Sequence, residues 1–321
     1  MNRYPIKLTY ISKNAIWGGK KLMNEWGKQS ADDAIAETWE LSVRDKEMAT
    51  VASGEAKGMT LRDYIAACGA DCVSPDYTLD KPFPLLVKFI DAADRLSVQV
   101  HPDDIYAHDI EGDVGKTEMW YIVDAEEGAE IICGLADGAS EDDFAVAVKE
   151  GRTADVLRRV PVKKGDFFFI PAGQVHAIGA GILIAEIQQN SDLTYRVYDY
   201  DRVGADGKKR PLHVEKALDV TRVWSDTDCD AVAFSRGKEC VDGLLLANSK
   251  YFSVVKKTIS SRSSATVTQK SFCHLLCIEG EGTLSFNDEQ FNIARGDSFF
   301  LPAGMGDYSL DGNLTVICSE V

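Results

Sequence analysis

The sequence predicts a mainly β protein, built from two related sandwich or barrel units with a few short helices. Two observations carry this. Short apolar runs recur along the chain, separated by Gly, Pro and Asp: PLLVKFIDA, LSVQVH, MWYIVDA, EIICGL, DFFFIPA, ILIAEIQQ and YFSVVKKTI. Runs of this length with such punctuation read as strands of a sandwich or barrel. The second observation is an internal repeat. KKGDFFFIPAGQVHAIGAG (163–181) matches ARGDSFFLPAGMGDYSLDG (294–312) at a constant offset of 131 residues. A repeat so far apart marks a duplicated domain rather than a solenoid.

Within each copy, Gly-Asp makes the turn into a buried strand and Pro-Ala-Gly the turn out. TLRDYIAACG (60–69) reads as a helix, with Thr60 and Asp63 in capping-box spacing and Gly69 as the stop. SEDDFAVAVKEG (140–151) starts at Ser140 and ends at Gly151 in the same way. TADVLRRV and RPLHVEKALDVT also have helical patterns. WSDTDCDAVAFSRGKECVDG (224–243) is polar and irregular. We therefore divide the chain into residues 1–225, carrying the chemistry, and residues 226–321.

Composition narrows the function classes. The chain has 321 residues, 45% apolar and 27% charged, with a formal net charge of −16. Such a charge excludes a general nucleic-acid or anionic-membrane binder. A small anionic substrate is still admissible, because a few clustered cations can dominate a pocket. The N-terminal MNRYPIKLTYISKN lacks the apolar core of a signal peptide, and no window reaches the ~18 apolar residues of a membrane span. The eight cysteines are dispersed, without a CxxC pair, so they read as reduced thiols of a cytoplasmic protein. The sequence leaves the oligomeric state open.

In LSVQVHPDD (96–104), Gln99 and His101 interrupt an apolar run. On a strand they share one face, with Val98 and Val100 on the other. A nitrogen and an oxygen donor side by side suit a metal, and equally a polar barrel lining. Gly165, Pro171, Gly173 and His176 then form G-x5-P-x-G-x2-H, which resembles the second motif of the cupins, small jelly-roll barrels that often hold a metal. The first cupin motif fits less well: Glu118 follows His101 after 16 intervening residues. QVHPDD followed by GKTEMWYIV resembles instead the type I mannose-6-phosphate isomerases. So do EIQQNSDLTYRVYDYDR (186–202) and the N-terminal WGG (17–19).

This resemblance implies two cupin-type jelly-roll barrels. It also implies an aldose–ketose isomerase that interconverts mannose 6-phosphate and fructose 6-phosphate through an enediol. Two imidazoles and a carboxylate, from His101, Glu118 and His176, match the ligand pattern of a catalytic zinc with an open position, and Gln99 can add an amide oxygen. These donors also admit Fe, Ni, Co or Mn, so zinc, one per chain, rests on the resemblance. The family assigns a catalytic role to the arginine at Arg196 and a substrate-site role to the lysine at Lys116. Glu186 is a further candidate for substrate binding or proton transfer, with a surface salt bridge as an equal reading of it; a metal-bound water and an unliganded histidine are the other candidates for the base. No dinucleotide fingerprint suggests an organic cofactor. The expected partner is a small phosphorylated sugar, with no nucleic acid and no membrane.

Other features read plainly. His108 and His213 are structural or surface residues, GADGKKRP is a solvated loop, and GKT (115–117) lacks the upstream glycine spacing of a phosphate loop. WGG and ETWELS (37–42) are packing and turn elements near the pocket. In the second copy Asp307 replaces His176, and His274 stands alone among apolar neighbours. The C-terminal unit is therefore expected to hold no metal and to cover or brace the first. Two other classes stay open: a metal-dependent cupin dioxygenase, and a non-catalytic sugar-binding bicupin.

Overall fold

A computed structural model of the chain describes residues 1–44, 46–204, 207–224, 237–240 and 243–321. The fold is mainly β, arranged in three large sheets. A six-stranded sheet runs in the order Phe167–Ile170, Glu118–Ala125, Ile182–Gln189, Leu85–Ala92, Glu37–Leu41 and Ile11–Lys13. A five-stranded sheet contains Leu157–Pro161, Glu130–Leu135, His176–Ile178, Val98–Val100 and Tyr195–Tyr198. A nine-stranded sheet is formed from the C-terminal part of the chain, its longest strands being Cys273–Phe286 and Gly306–Glu320. None of these sheets closes on itself among the described residues, which departs from the barrel expectation at that level of detail.

The six-stranded sheet is the middle layer. Its strands Leu85–Ala92 and Ile182–Gln189 are buried at every position, as a sheet covered on both faces requires. One face sets Val87, Phe89, Met119 and Ile187 against Leu276, Phe300 and Ile317 of the C-terminal sheet. The other sets Ile90, Trp120, Ile122 and Ile184 against Ile131, Cys133 and Ile178 of the five-stranded sheet. The far side of the five-stranded sheet is covered by helices Glu141–Lys149 and Val214–Val220, through Phe144, Ala217 and Val220.

The helix starts read from sequence are present. Thr60 Oγ1 accepts from Asp63 N at 3.1 Å, and Ser140 and Asp143 form a reciprocal capping box. TADVLRRV departs from its helical pattern: one 3-10 turn, Thr153–Val156, leads into the strand Leu157–Pro161. Pairing with Glu130–Leu135 outweighs the weak local preference for helix. In WGG, Gly19 has a steric cause. A Cβ there would lie 2.2 Å from Asp91 Oδ1, and that carboxylate accepts from Leu22 N at the start of a helical turn.

The repeat builds the same turn twice. Gly165 and Gly296 have φ of +94° and +90°. Asp166 accepts from Lys163 N and Asp297 from Ala294 N, each at 2.9 Å. The division at residue 225 is crossed by the chain's own beginning: Ile6–Lys7 pairs with Ser298–Leu301 in the C-terminal sheet. The polar segment chosen as the boundary lies mostly outside the described residues. No described helix is long and apolar enough to cross a membrane.

An ion pair sits in the apolar layer between the middle and C-terminal sheets. Lys28 Nζ is 2.6 Å from Glu40 Oε1, with side chains 5% and 1% exposed. Lys28 also donates to Gly296 O at 2.8 Å. Removing one partner of a buried pair strands the other charge, whereas replacing both by apolar residues is close to neutral. Lys28→Met should therefore lower unfolding stability by about 3 kcal/mol or more, measured in urea. The double variant Lys28→Met/Glu40→Leu should regain most of it. Equal losses in the two variants would refute this account of the interface.

Candidate active site

Strand register brings the polar residues of two sheets face to face. Across the five-stranded sheet, Cys133, His176, Gln99 and Arg196 are successive register partners. Directly opposed residues share a face, and His101 lies two residues beyond Gln99. Across the middle sheet, Trp120, Glu186, Lys88 and Trp39 form a matching row, with Glu118 two residues from Trp120. The buried side chains Trp120, Ile122 and Ile184 pin the phase, because a one-residue slip would turn the whole row to the other face.

His101, Glu118 and His176 converge, each about 1% exposed. Glu118 Oε1 lies 3.0 Å from His101 Nε2 and 3.2 Å from His176 Nε2. The two Nε2 atoms are 3.2 Å apart. The other ring nitrogens face backbone carbonyls: His101 Nδ1 is 2.6 Å from Leu193 O and His176 Nδ1 is 2.8 Å from Gln174 O. A carbonyl only accepts, so each Nδ1 carries a proton, and in the neutral ring Nε2 then presents a lone pair. Neither Glu118 oxygen has a hydrogen-bond partner. Burial, with Lys116 nearby, pushes His101 down to about 3 and so keeps it neutral. Burial opposes ionisation of Glu118, but the Lys116 ammonium holds its carboxyl well below the usual range.

Three acceptors thus crowd one point with no proton among them, and a cation is the group that fits. His101, Glu118 and His176 are also the group of three potential ligating residues found among the described residues. Gln99 lies beside His176 across the strand pair.

Cations and carboxylates surround this point. Lys116, 5% exposed, has Nζ 3.8 Å from Glu118 Oε2. Glu186 is buried rather than part of a surface salt bridge. Its Oε2 accepts from Trp120 Nε1 at 2.9 Å, while Oε1 has no hydrogen-bond partner. Burial and the charge of Glu118 push Glu186 up to about 8. Arg196 is partly buried and its Nε has no partner. Its backbone is tied to His213, whose N donates to Arg196 O at 2.8 Å and whose Nδ1 accepts from Arg196 N at 3.3 Å. Burial and Arg210 lower the affinity of the Arg196 guanidinium for its proton.

Lys88, Glu37 and Trp39 were not singled out as site residues from sequence, although Lys88 is the lone charge inside the apolar run PLLVKF. It is 3% exposed, 3.2 Å from Glu37 Oε2 and 3.8 Å from Glu186 Oε1. In GADGKKRP, Lys209 pairs with exposed Asp201, but Arg210 is drawn inward to Asp199. His108 is exposed beside Asp109. His274 is buried in the C-terminal sheet, with Nε2 2.8 Å from Ser298 Oγ, and Asp307 is exposed and accepts from Thr266 Oγ1.

Comparison with known proteins agrees along the whole chain. Residues 6–137 match the family model described as phosphomannose isomerase type I, catalytic domain, and residues 244–321 match mannose-6-phosphate isomerase, cupin domain. The chain is 37% identical over 318 residues to the mannose-6-phosphate isomerase of Streptococcus mutans serotype c, covering 98% of each. It is 37% identical over 329 residues to mannose-6-phosphate isomerase ManA of Bacillus subtilis, covering all of both. A crystal structure of the mannose 6-phosphate isomerase from Bacillus subtilis matches with a TM-score of 0.88 at 37% identity, over 99% of each chain.

The donor geometry predicts that a divalent transition ion stabilises the folded protein. At a hundredfold excess over its dissociation constant the gain is about 2.7 kcal/mol, readable as a rise in thermal midpoint of chelator-treated protein. His176→Ala should abolish that rise while keeping the β circular-dichroism spectrum. An undiminished rise would show that the ion binds elsewhere.

Proposed function

We infer the activity of this chain from one premise: it belongs to the type I phosphomannose isomerase family. We propose that it interconverts mannose 6-phosphate and fructose 6-phosphate through an enediol. The observation that carries this reading is the buried convergence of three potential donors, His101, Glu118 and His176, with the Lys116 ammonium beside Glu118. We assign these three as ligands of one zinc ion, with Gln99 as the fourth. When bound, zinc supplies Lewis-acid stabilisation of negative charge on the sugar's carbonyl and hydroxyl oxygens.

The chain's own groups do the rest. Aldose and ketose differ by a proton moved between C1 and C2, and the barrier lies in the charge that develops on their oxygens. We assign Arg196 as the catalytic cation. Its Nε is a buried donor with no hydrogen-bond partner, and a fixed guanidinium can stabilise that charge or hold the phosphate. Lys116 is assigned to substrate binding beside Glu118. Glu186, with Oε2 tied down and Oε1 free of any hydrogen bond, is assigned to accept from a sugar hydroxyl and to carry the proton between the carbons. The histidines outside the cluster do not compete for that task. His108 is on the surface, His213 is tied to the backbone of Arg196, and His274 lies in the C-terminal sheet.

We read the two smaller sheets as one cupin-type jelly roll, and the nine-stranded sheet as a second that holds no metal and braces the first. Supporting this, Ser298 Oγ donates to Glu40 O at 2.9 Å, on the strand that carries Glu37 and Trp39. The substrate is a small phosphorylated sugar, and we place the protein in the cytoplasm on its dispersed thiols, none of which forms a disulfide among the described residues.

The test is formation of fructose 6-phosphate from mannose 6-phosphate, with and without chelator. Activity should be lost on chelation and restored by zinc, with one ion per chain, a number unchanged in Asp307→Ala. Absence of isomerisation by the zinc-loaded protein would overturn the reading. Arg196→Ala should keep unfolding stability within about 1 kcal/mol. It should reduce kcat/KM by more than about tenfold, or about 1.4 kcal/mol. A fully active variant would remove Arg196 from the mechanism.

A further inference from the structure

The inner face of the middle sheet carries a line of five side chains. Trp39 Nε1 donates to Glu37 Oε2 at 2.7 Å, and Glu37 Oε2 is 3.2 Å from Lys88 Nζ. Lys88 Nζ is in turn 3.8 Å from Glu186 Oε1, while Trp120 Nε1 holds Glu186 Oε2 at 2.9 Å. One ammonium is thus shared by two carboxylates, each anchored by an indole. The sharing is unequal, with Lys88 closer to Glu37. The Lys88 ammonium also lies 4.9 Å from the centre of the Trp39 ring, a cation–π distance.

This inequality bears on Glu186. A lysine has a flexible four-carbon stem and a compact charge, and a buried ammonium with a single carboxylate near it closes onto that carboxylate. Without Glu37, Lys88 has Glu186 as its one buried carboxylate partner, and closure would occupy Oε1, the oxygen that has no hydrogen bond. The other charged groups acting here do not replace Glu37. Asp192 is exposed, Lys116 is a cation that acts on both carboxylates, and Lys13 lies over Trp39 and pairs with Glu47.

We propose that Glu37, anchored by Trp39, is a positioning residue that holds Lys88 off Glu186 and so leaves one Glu186 oxygen open to the substrate. The inference rests on the assignment of Glu186 above. It concerns a residue that touches neither the donor cluster nor Arg196 in the structure. Its effect should appear in turnover more than in binding, because an occupied Glu186 disables the proton-transfer step while the phosphate contacts survive.

The test is a double-mutant cycle on the zinc-loaded enzyme, using Glu37→Gln and Lys88→Met. Glu37→Gln should lower kcat at least tenfold and change KM less than threefold, with metal content unchanged. In the Lys88→Met background the same substitution should cost less than twofold, because no ammonium is left to close on Glu186. Trp39→Phe, which removes only the indole anchor, should lower kcat three- to tenfold. If Lys88→Met does not fold, Glu37→Gln and Trp39→Phe decide the matter in the wild-type background by their kcat and KM. Full kcat in Glu37→Gln, or an equal loss with and without Lys88, would overturn the proposal. If the wild-type enzyme itself failed to isomerise, the functional reading would fall instead, so the two failures are distinguishable.

Discussion

Glu118 is a buried carboxylate that receives no proton from its two nearest neighbours. His101 and His176 face it with lone pairs because their Nδ1 protons are committed to Leu193 O and Gln174 O. Such a cluster opposes folding, since acceptors repel and charges lose hydration. It persists because two sheets hold it from opposite sides. The imidazoles hang from one, the carboxylate from the other, and the apolar packing of Trp120, Ile122, Ile131 and Ile178 clamps the sheets together. The same repulsion makes the point attractive to a cation. Binding strength and structural strain are therefore two aspects of one arrangement.

The middle sheet must then serve two purposes. Glu37, Thr38, Trp39 and Glu40 alternate along one strand. Glu37 and Trp39 belong to the polar row with Lys88, while Glu40 meets Lys28, which also reaches the C-terminal sheet. A two-residue period lets five residues carry chemistry on one side and a domain contact on the other. The Lys28–Glu40 pair and Ser298 fix this strand from behind, so the C-terminal sheet bears on the polar row through register rather than by supplying a side chain to it. The N-terminal strand Ile6–Lys7, paired into that C-terminal sheet, ties the two parts a second time.

Much of this was legible in the sequence, for identifiable reasons. The strands were visible because apolar runs and turn residues are local signals. The repeat exposed the paired turns because positive-φ glycines and the Gly-Asp turn leave little freedom of residue type. The cluster of His101, Glu118 and His176 could be anticipated through the motifs that resemble a metal-binding family; the residue types alone left a polar barrel lining equally open. What escaped depended on tertiary partners. Lys88 looks like any lysine until Glu37, Glu186 and two indoles are seen around it. Ile6–Lys7 is too short to declare which sheet it joins, and TADVLRRV carries a helical pattern that pairing with Glu130–Leu135 overrides. Whether sheets close into barrels is a matter of edge geometry that residue patterns do not encode.

The two copies of the repeat separate scaffold from chemistry. Both keep the Gly-Asp turn and its carboxylate-to-backbone hydrogen bond, yet His176 is buried against Glu118 while Asp307 is exposed and bonded to Thr266. The difference is one of surroundings as much as of residue type. His176 faces a second sheet that delivers a carboxylate, whereas Asp307 has solvent. Restoring an imidazole at position 307 would therefore supply one donor and no partners, because the donors of a cation site come from both sides of a packed interface. A turn motif with its glycines and proline specifies where a ligand can be placed. The opposing sheet decides whether that place becomes a site.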